Sequence, residues 1–221
     1  ITRDRVIVRA CGPEGAQSPF WRGDGMGRPY ATGLLFGGYL RELEESAHAG
    51  KLLQALAAFP LDEDGRLNAA RYIREQMDIL GALATDRTVV VEHFRDERGE
   101  AQLLVHSVFG KRVNLPLGLL LRQAAEKATG ADVRMQVSDD GVLLHMSGGS
   151  RSPRGLVEGL RPEGAREAVA ALLPADPLFG MAFRYNANRA LMLGVRRAGR
   201  VPLWVQRLRG ADAYGRALTY P

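Results

Sequence analysis

The chain has 221 residues, 46% of them hydrophobic, with 30 basic and 25 acidic side chains, a net charge of +5 and a single cysteine. That length buries a full core without disulfides or a structural metal. Cys11 forms no internal disulfide and cannot build a Cys-rich zinc site, and no apolar run is long enough to cross a bilayer, so a cytoplasmic protein is expected. Only Lys51, Lys111 and Lys127 are lysines, leaving 27 arginines, whose planar forks suit phosphates and stack on bases. The first residue is Ile1 rather than Met, and the expectation is a piece of something longer.

Arg3 to Ala10 alternates, with Val6 and Val8 on one face, and reads as a strand. Gly12 to Gly33 holds six glycines and three prolines and reads as a loop. Within it Trp21 either stacks on an unpaired base while Arg22 and Arg28 take the flanking phosphates, or plugs the edge of the core. Leu34 to Ala47 and Lys51 to Phe59 read as two helices joined near His48-Ala-Gly50, and Leu61 to Gly65 caps a third, amphipathic one over Leu67 to Leu83. Together they suggest a helical lobe over 31–83. Its charges are mixed, with acid-rich stretches at Arg41 to Glu45 and Leu61 to Asp64, and it is assigned no site.

Arg87 to Arg95 and Glu100 to Ser107 form a hairpin closed at Asp96-Glu-Arg-Gly99. Next comes an abrupt change from apolar to basic. Leu103 to Val105 suit a buried strand, Gly110 supplies a permissive turn, and Val113 to Lys127 carries apolar residues at helical spacing. His106, Ser107, Lys111, Arg112 and Asn114 gather at that corner, where a helix N-terminus could hold a phosphate; the other reading is a strand-to-helix corner satisfied from within. A second hairpin, Val133 to Val137 and Val142 to Met146, turns at Ser138-Asp-Asp-Gly141. Two hairpins around a helix argue for an α+β fold, an antiparallel or mixed sheet covered by helices, with closure into a partial barrel left open by the pattern.

Ser147 to Arg154 reads as a surface loop. Pro162, Asp176-Pro177 and Val201-Pro202 each open a helix. Between Asp176 and Asp212 there are seven basic residues (Arg184, Arg189, Arg196, Arg197, Arg200, Arg207 and Arg209) and no acid, the footprint of a surface that binds a phosphate backbone. In the middle helix Asn186 and Arg189 stand three apart on one face, placed either to reach one strand or to cap neighbouring loops.

Four blocks, taken in order, resemble the DEAD/H-associated region of large helicase-related (Lhr) proteins of helicase superfamily 2. Pro19-Phe-Trp-Arg-Gly-Asp-Gly-Met-Gly-Arg28 is similar to that family's Trp-x-Gly-Glu-x-x-Gly-Arg, and His106-Ser-Val-Phe-Gly-Lys-Arg-Val-Asn114 to its His-Ser-Pro-Phe-Gly-Arg-Arg-Val-Asn. Leu178 to Leu191 is similar to Leu-Phe-x-x-x-Phe-Arg-x-Asn-x-x-Arg-Ala-Leu, and Pro202 to Arg209 to Pro-Leu-Trp-x-Gln-Arg-Leu-Arg. Asp24, Val108 and Tyr185 depart from the usual Glu, Pro and acid. The resemblance implies one accessory domain over 1–221 of an ATP-dependent 3′ to 5′ helicase acting in nucleic-acid repair, with ATP and Mg in the parent's motor domains and no cofactor here. It implies as partners single-stranded DNA or an RNA:DNA hybrid, and the parent's motor and winged-helix domains, with no membrane. Trp21 would then stack on a base, while Arg22, Arg28, Lys111, Arg112, Arg184, Arg189 and Arg207 would hold phosphates or an interdomain interface.

Catalysis by this chain alone finds little support in the sequence. No Gly-x-x-x-x-Gly-Lys-[Ser/Thr] loop occurs, and the four histidines are not spaced as a metal pair. His93 and His106, on facing strands with Glu92 and Asp96 nearby, are the one arrangement that imitates an acid/base pair and would suit a nuclease or hydrolase. The remaining alternative is an interaction module that packs on the motor and winged-helix domains without touching nucleic acid, with Trp204 to Arg209 as an amphipathic docking segment.

Overall fold

The structure, a computed structural model, describes residues 27–147, 151–193 and 201–219. The expected strand over Arg3 to Ala10, Trp21 and Arg22, and Arg196, Arg197 and Arg200 lie outside the described residues. The chain divides into two compact units, Met26–Leu172 and a second that takes in Leu173–Pro221 together with the residues through Gly25. No helix among the described residues is long and apolar enough to cross a membrane.

The first unit begins with three helices, α1 (Tyr30–His48), α2 (Leu52–Leu56) and α3 (Glu63–Leu80). The glycine-rich stretch was expected to stay a loop as far as Gly33, yet α1 starts at Tyr30 because Pro29, with φ fixed at −59°, stands just ahead of it and presets the first turn. Its glycines are there for close approach. A Cβ on Gly33 would lie 2.6 Å from the Val108 carbonyl oxygen, and one on Gly37 would run into the backbone of Asp86. In α3 the Asp62 side chain accepts from the Gly65 N–H at 2.7 Å, Glu63 and Asp64 occupy the positive first turn, and Gly81 ends the helix at φ 78°. Leu43, Leu52, Leu56, Ala70, Ile73 and Leu83 give these helices a core of their own.

The rest of the unit is a sheet with one helical cover. Strands β1 (Val90–Arg95), β2 (Ala101–His106), β3 (Val133–Ser138) and β4 (Gly141–Met146) pair antiparallel throughout in the order β1-β2-β4-β3. The sheet is open, with β1 and β3 as edges, so neither the mixed pairing nor the partial barrel is adopted. Helix α4 (Lys111–Thr129) links β2 to β3 and packs on β3 and β4. Alternation decides which face it covers: Leu103, Val105, Val142, Leu144 and Met146 point one way and close around Leu121 and Ala125. Val90, Glu92, Gln102, Leu104, His106, Leu143 and His145 share the opposite face. Helix α5 (Ala165–Leu172) also packs against α4.

In the second unit a short 3-10 turn (Leu173–Ala175) leads into α6 (Pro177–Arg189), which packs against α7 (Leu203–Ala217). Phe179 and Phe183 from α6 meet the Tyr214 ring from α7 edge-on, at 5.2 and 5.3 Å between centroids. All the helices and both hairpins expected over 30–217 are present, their ends moved by a few residues.

Candidate nucleic-acid interface

The corner between β2 and α4 forms as the sequence suggests, with Gly110 at φ 89° capping α4, but its anion site is filled by the protein itself. The Asp139 carboxylate, from the turn between β3 and β4, accepts from the Lys111 N–H at 2.8 Å and from the Arg28 N–H at 2.7 Å. Those two bonds hold its pKa below the ordinary aspartate value, and the positive end of α4 acts in the same direction. Arg28 is committed as well. Its guanidinium donates to the Val108 carbonyl at 3.1 Å, meets Asp140 at 2.8 Å and lies 4.7 Å above the Phe36 ring.

Ser107 and Asn114 were expected to face a bound strand. The structure instead buries both, at 1% and 0% exposure. The Ser107 hydroxyl donates to Asn114 Oδ1 at 2.7 Å, and Asn114 Nδ2 donates to the carbonyls of Ser107 at 2.9 Å and Ser138 at 3.0 Å. One amide thus ties the end of β2, the start of α4 and the end of β3 together, where an unmet polar group would cost about 1–3 kcal/mol. Of the corner's named residues only Arg112 is exposed, with no ion pair among the described residues.

His93 and His106 do not form a pair. His93 stands opposite Leu103 and His106 opposite Val90, an odd offset that puts them on different faces of the sheet. His106 Nε2 lies 2.9 Å from a Glu92 oxygen, while His93 Nδ1 lies 2.7 Å from the Ser152 hydroxyl. A second knot at the hairpin end joins Asp96, Glu100, Gln102 and His145: His145 Nε2 approaches Glu100 at 2.6 Å, and Gln102 Nε2 donates to Asp96 at 3.2 Å. Asp96 is further held below the ordinary aspartate pKa by the Glu100 and Arg98 N–H groups.

The second unit treats its arginines differently. Gly210 on α7 is buried, and a Cβ there would sit 2.5 Å from Arg184 Cγ, so the missing side chain is what lets the Arg184 stem lie flat across α7. Burial, and after it the neighbouring charge of Arg207, lower the Arg184 pKa. Among the described residues no carboxylate pairs with Arg184, Arg189 or Arg207. Asn186 and Arg189 are exposed on α6, and the Arg189 guanidinium lies 5.8 Å from the Tyr185 ring. Arg216 on α7 does have a partner, Asp212 at 2.8 Å. Two neighbouring guanidiniums without an acid repel each other, and an incoming phosphate relieves that cost.

Sequence reasoning found the arginines and missed what holds them. The only available clue to the corner was that Asp139 and Asp140 supply acids as well as a turn; the groove beside β1 described below was read only as a surface loop.

Comparison with known proteins bears on the same region. The family described as DEAD/H associated matches residues 83–221. The Lhr helicase/probable uracil glycosylase of Mycolicibacterium smegmatis is 35% identical over 227 residues, covering all of this chain and 15% of that protein. The Lhr helicase/uracil glycosylase of Escherichia coli is 33% identical over 223 residues, covering all of this chain and 14% of its own length. The solved structure of Mycobacterium smegmatis helicase Lhr bound to ssDNA and AMP-PNP superposes with a TM-score of 0.71 at 32% identity, over 95% of this chain and 27% of that one. The chain therefore spans about a seventh of the length of these curated relatives.

Proposed function

We propose, for a chain that belongs to the DEAD/H associated family, that it is an accessory region of an ATP-dependent, 3′ to 5′ Lhr-type helicase and grips the single strand beside the motor domains. The observation that carries this reading is Arg184, its stem laid over Gly210 of α7 and its charge neighboured by Arg207, with no carboxylate of the described residues paired to either. Arg189 and Asn186 on the exposed side of α6, and Arg112 on the first turn of α4, extend the contact set, and Trp21 and Arg22 join it on the strength of their motif. Arg28, Ser107 and Asn114 act here as positioning residues that hold the β2–α4 corner. The nucleic-acid partner is single-stranded DNA or an RNA:DNA hybrid. ATP and Mg2+ belong to motor domains beyond this chain, since no phosphate-cradling glycine loop with its lysine occurs in the sequence.

The test is a salt titration of the intact protein on a fluorescent single-stranded oligonucleotide. Each phosphate contact contributes roughly 0.7 to the slope of log affinity against log salt, so replacing Arg184 and Arg207 with alanine is expected to flatten it by about 1.4 and to weaken binding about tenfold. An unchanged slope would remove the arginine pair from the interface.

A second reading, an interaction module that docks on the motor and winged-helix domains, is favoured by one feature of α7. Leu203, Trp204 and Leu208 are 55%, 69% and 65% exposed. Trp204→Ala separates the two: a docking surface loses interdomain crosslinks and keeps its strand affinity, whereas a strand contact does the reverse.

A further inference from the structure

Beside β1, the outer strand of the sheet, lies a groove of about 490 Å³ lined by His93, Phe94, Arg95, Ala101, Arg151, Ser152 and Arg154. Among the described residues its lining holds three arginines and no carboxylate. Strand alternation accounts for that sorting. His93 and Arg95 point to one face of β1, while Glu92 points to the other and is held there by His106. Two of the three acids of the adjoining turn are likewise engaged: Asp96 accepts from the Arg98 and Glu100 N–H groups and from Gln102, and Glu100 is bonded to His145, leaving the exposed Glu97.

The far wall comes from residues 151–154. The Ser152 hydroxyl, bonded to His93 Nδ1 at 2.7 Å, fastens this segment to the strand and fixes the imidazole in the groove. Arg151 and Arg154 are exposed and make no hydrogen bond or ion pair among the described residues. Arg95 gives one N–H to the Gly99 carbonyl and keeps the rest of its fork. Phe94, 39% exposed, points by the same alternation to the Glu92 face of β1. Guanidiniums with unspent donors along one groove suit a sugar–phosphate backbone.

From these features we infer that this groove is a second strand-binding site, in which Arg95, Arg151 and Arg154 hold phosphates of one strand. The inference rests on the strand-binding reading above and places an additional contact on the sheet unit, outside all four sequence blocks.

The test again uses the intact protein and a fluorescent single-stranded oligonucleotide, comparing Arg151→Ala with Arg154→Ala together against Arg184→Ala with Arg207→Ala together. Loss of the Arg151 and Arg154 charges is expected to lower the salt slope by about 1.4 and the affinity about tenfold, with lysine at both positions restoring the slope. A photoreactive thymine in the strand is expected to crosslink to the peptide carrying residues 151–154, and the Arg151/Arg154 double alanine variant to lose that product. If the Arg151/Arg154 variant binds as the parent does while the Arg184/Arg207 variant weakens, the groove is not a strand site and the reading for α6 and α7 survives. If neither variant changes binding, both are overturned.

Discussion

The β2–α4 corner and the α6–α7 pair both present basic residues from recognisable sequence blocks, yet they spend them in opposite ways. At the corner Asp139 sits on the helix N-terminus and Asp140 on the Arg28 guanidinium, so the positive charge is answered from within the chain. On α6 and α7, Arg184 is pressed over Gly210 near Arg207, and no carboxylate of the described residues pairs with either. The lesson is that a basic motif marks an interface only where no carboxylate of the same fold has already met it. Where one has, the motif records a folding requirement.

The comparison can be broken most severely at Asn114. Asn114→Ala strands the carbonyls of Ser107 and Ser138 in the interior and is expected to cost about 3 kcal/mol in urea unfolding, a magnitude typical of buried polar groups left unmet. A change below about 1 kcal/mol would mean the corner is not held from inside. Next in size is Arg28→Met, which keeps the stem and removes the bonds to Val108 and Asp140 and the contact with Phe36. It is expected to lower stability by about 1–2 kcal/mol without changing the salt slope of strand binding. A flattened slope with intact stability would return Arg28 to the interface.

Asp139→Asn is expected to cost about 1 kcal/mol at neutral pH. Because the folded protein holds the Asp139 carboxyl below its unfolded value of about 3.9, its contribution is fully present above that pH and is lost as pH falls through the lowered folded value. Stability of the parent should therefore drop below about pH 4 more steeply than that of the asparagine variant; parallel curves would show that Lys111 and Arg28 do not hold the charge. Smallest of all is Arg184→Met, expected to leave stability within about 0.5 kcal/mol or raise it slightly, since it removes a half-buried charge repelled by Arg207. Set beside Arg28→Met, that near-zero value sharpens the contrast between a structural arginine and one kept for a ligand.

Much of the fold was readable locally. Alternation and the turn sequences Asp96 to Gly99 and Asp139-Asp140 located both hairpins, and Pro29, Asp62, Gly81 and Pro202 mark helix ends by fixed φ, a capping carboxylate or a left-handed stop. The glycines of α1 misled because helix propensity is local while their purpose is not: Gly33 and Gly37 make room for Val108, Phe109 and Asp86, which arrive from far along the chain. His93 and His106 looked like partners because both lie on paired strands, and only the register shows the odd offset that parts them.

What the sequence determined by itself is the set of elements and the identity of the basic residues, because periodicity, capping and turn chemistry act within a few positions. Only the tertiary structure decided which of those charges are already neutralised. Arg28 meets Val108 and Asp140 across 80 and 112 positions, and Asn114 closes on Ser138 across 24. A charge reaches its partner through space, and that distance is fixed only when the sheet, its covering helix and the turns between them pack together.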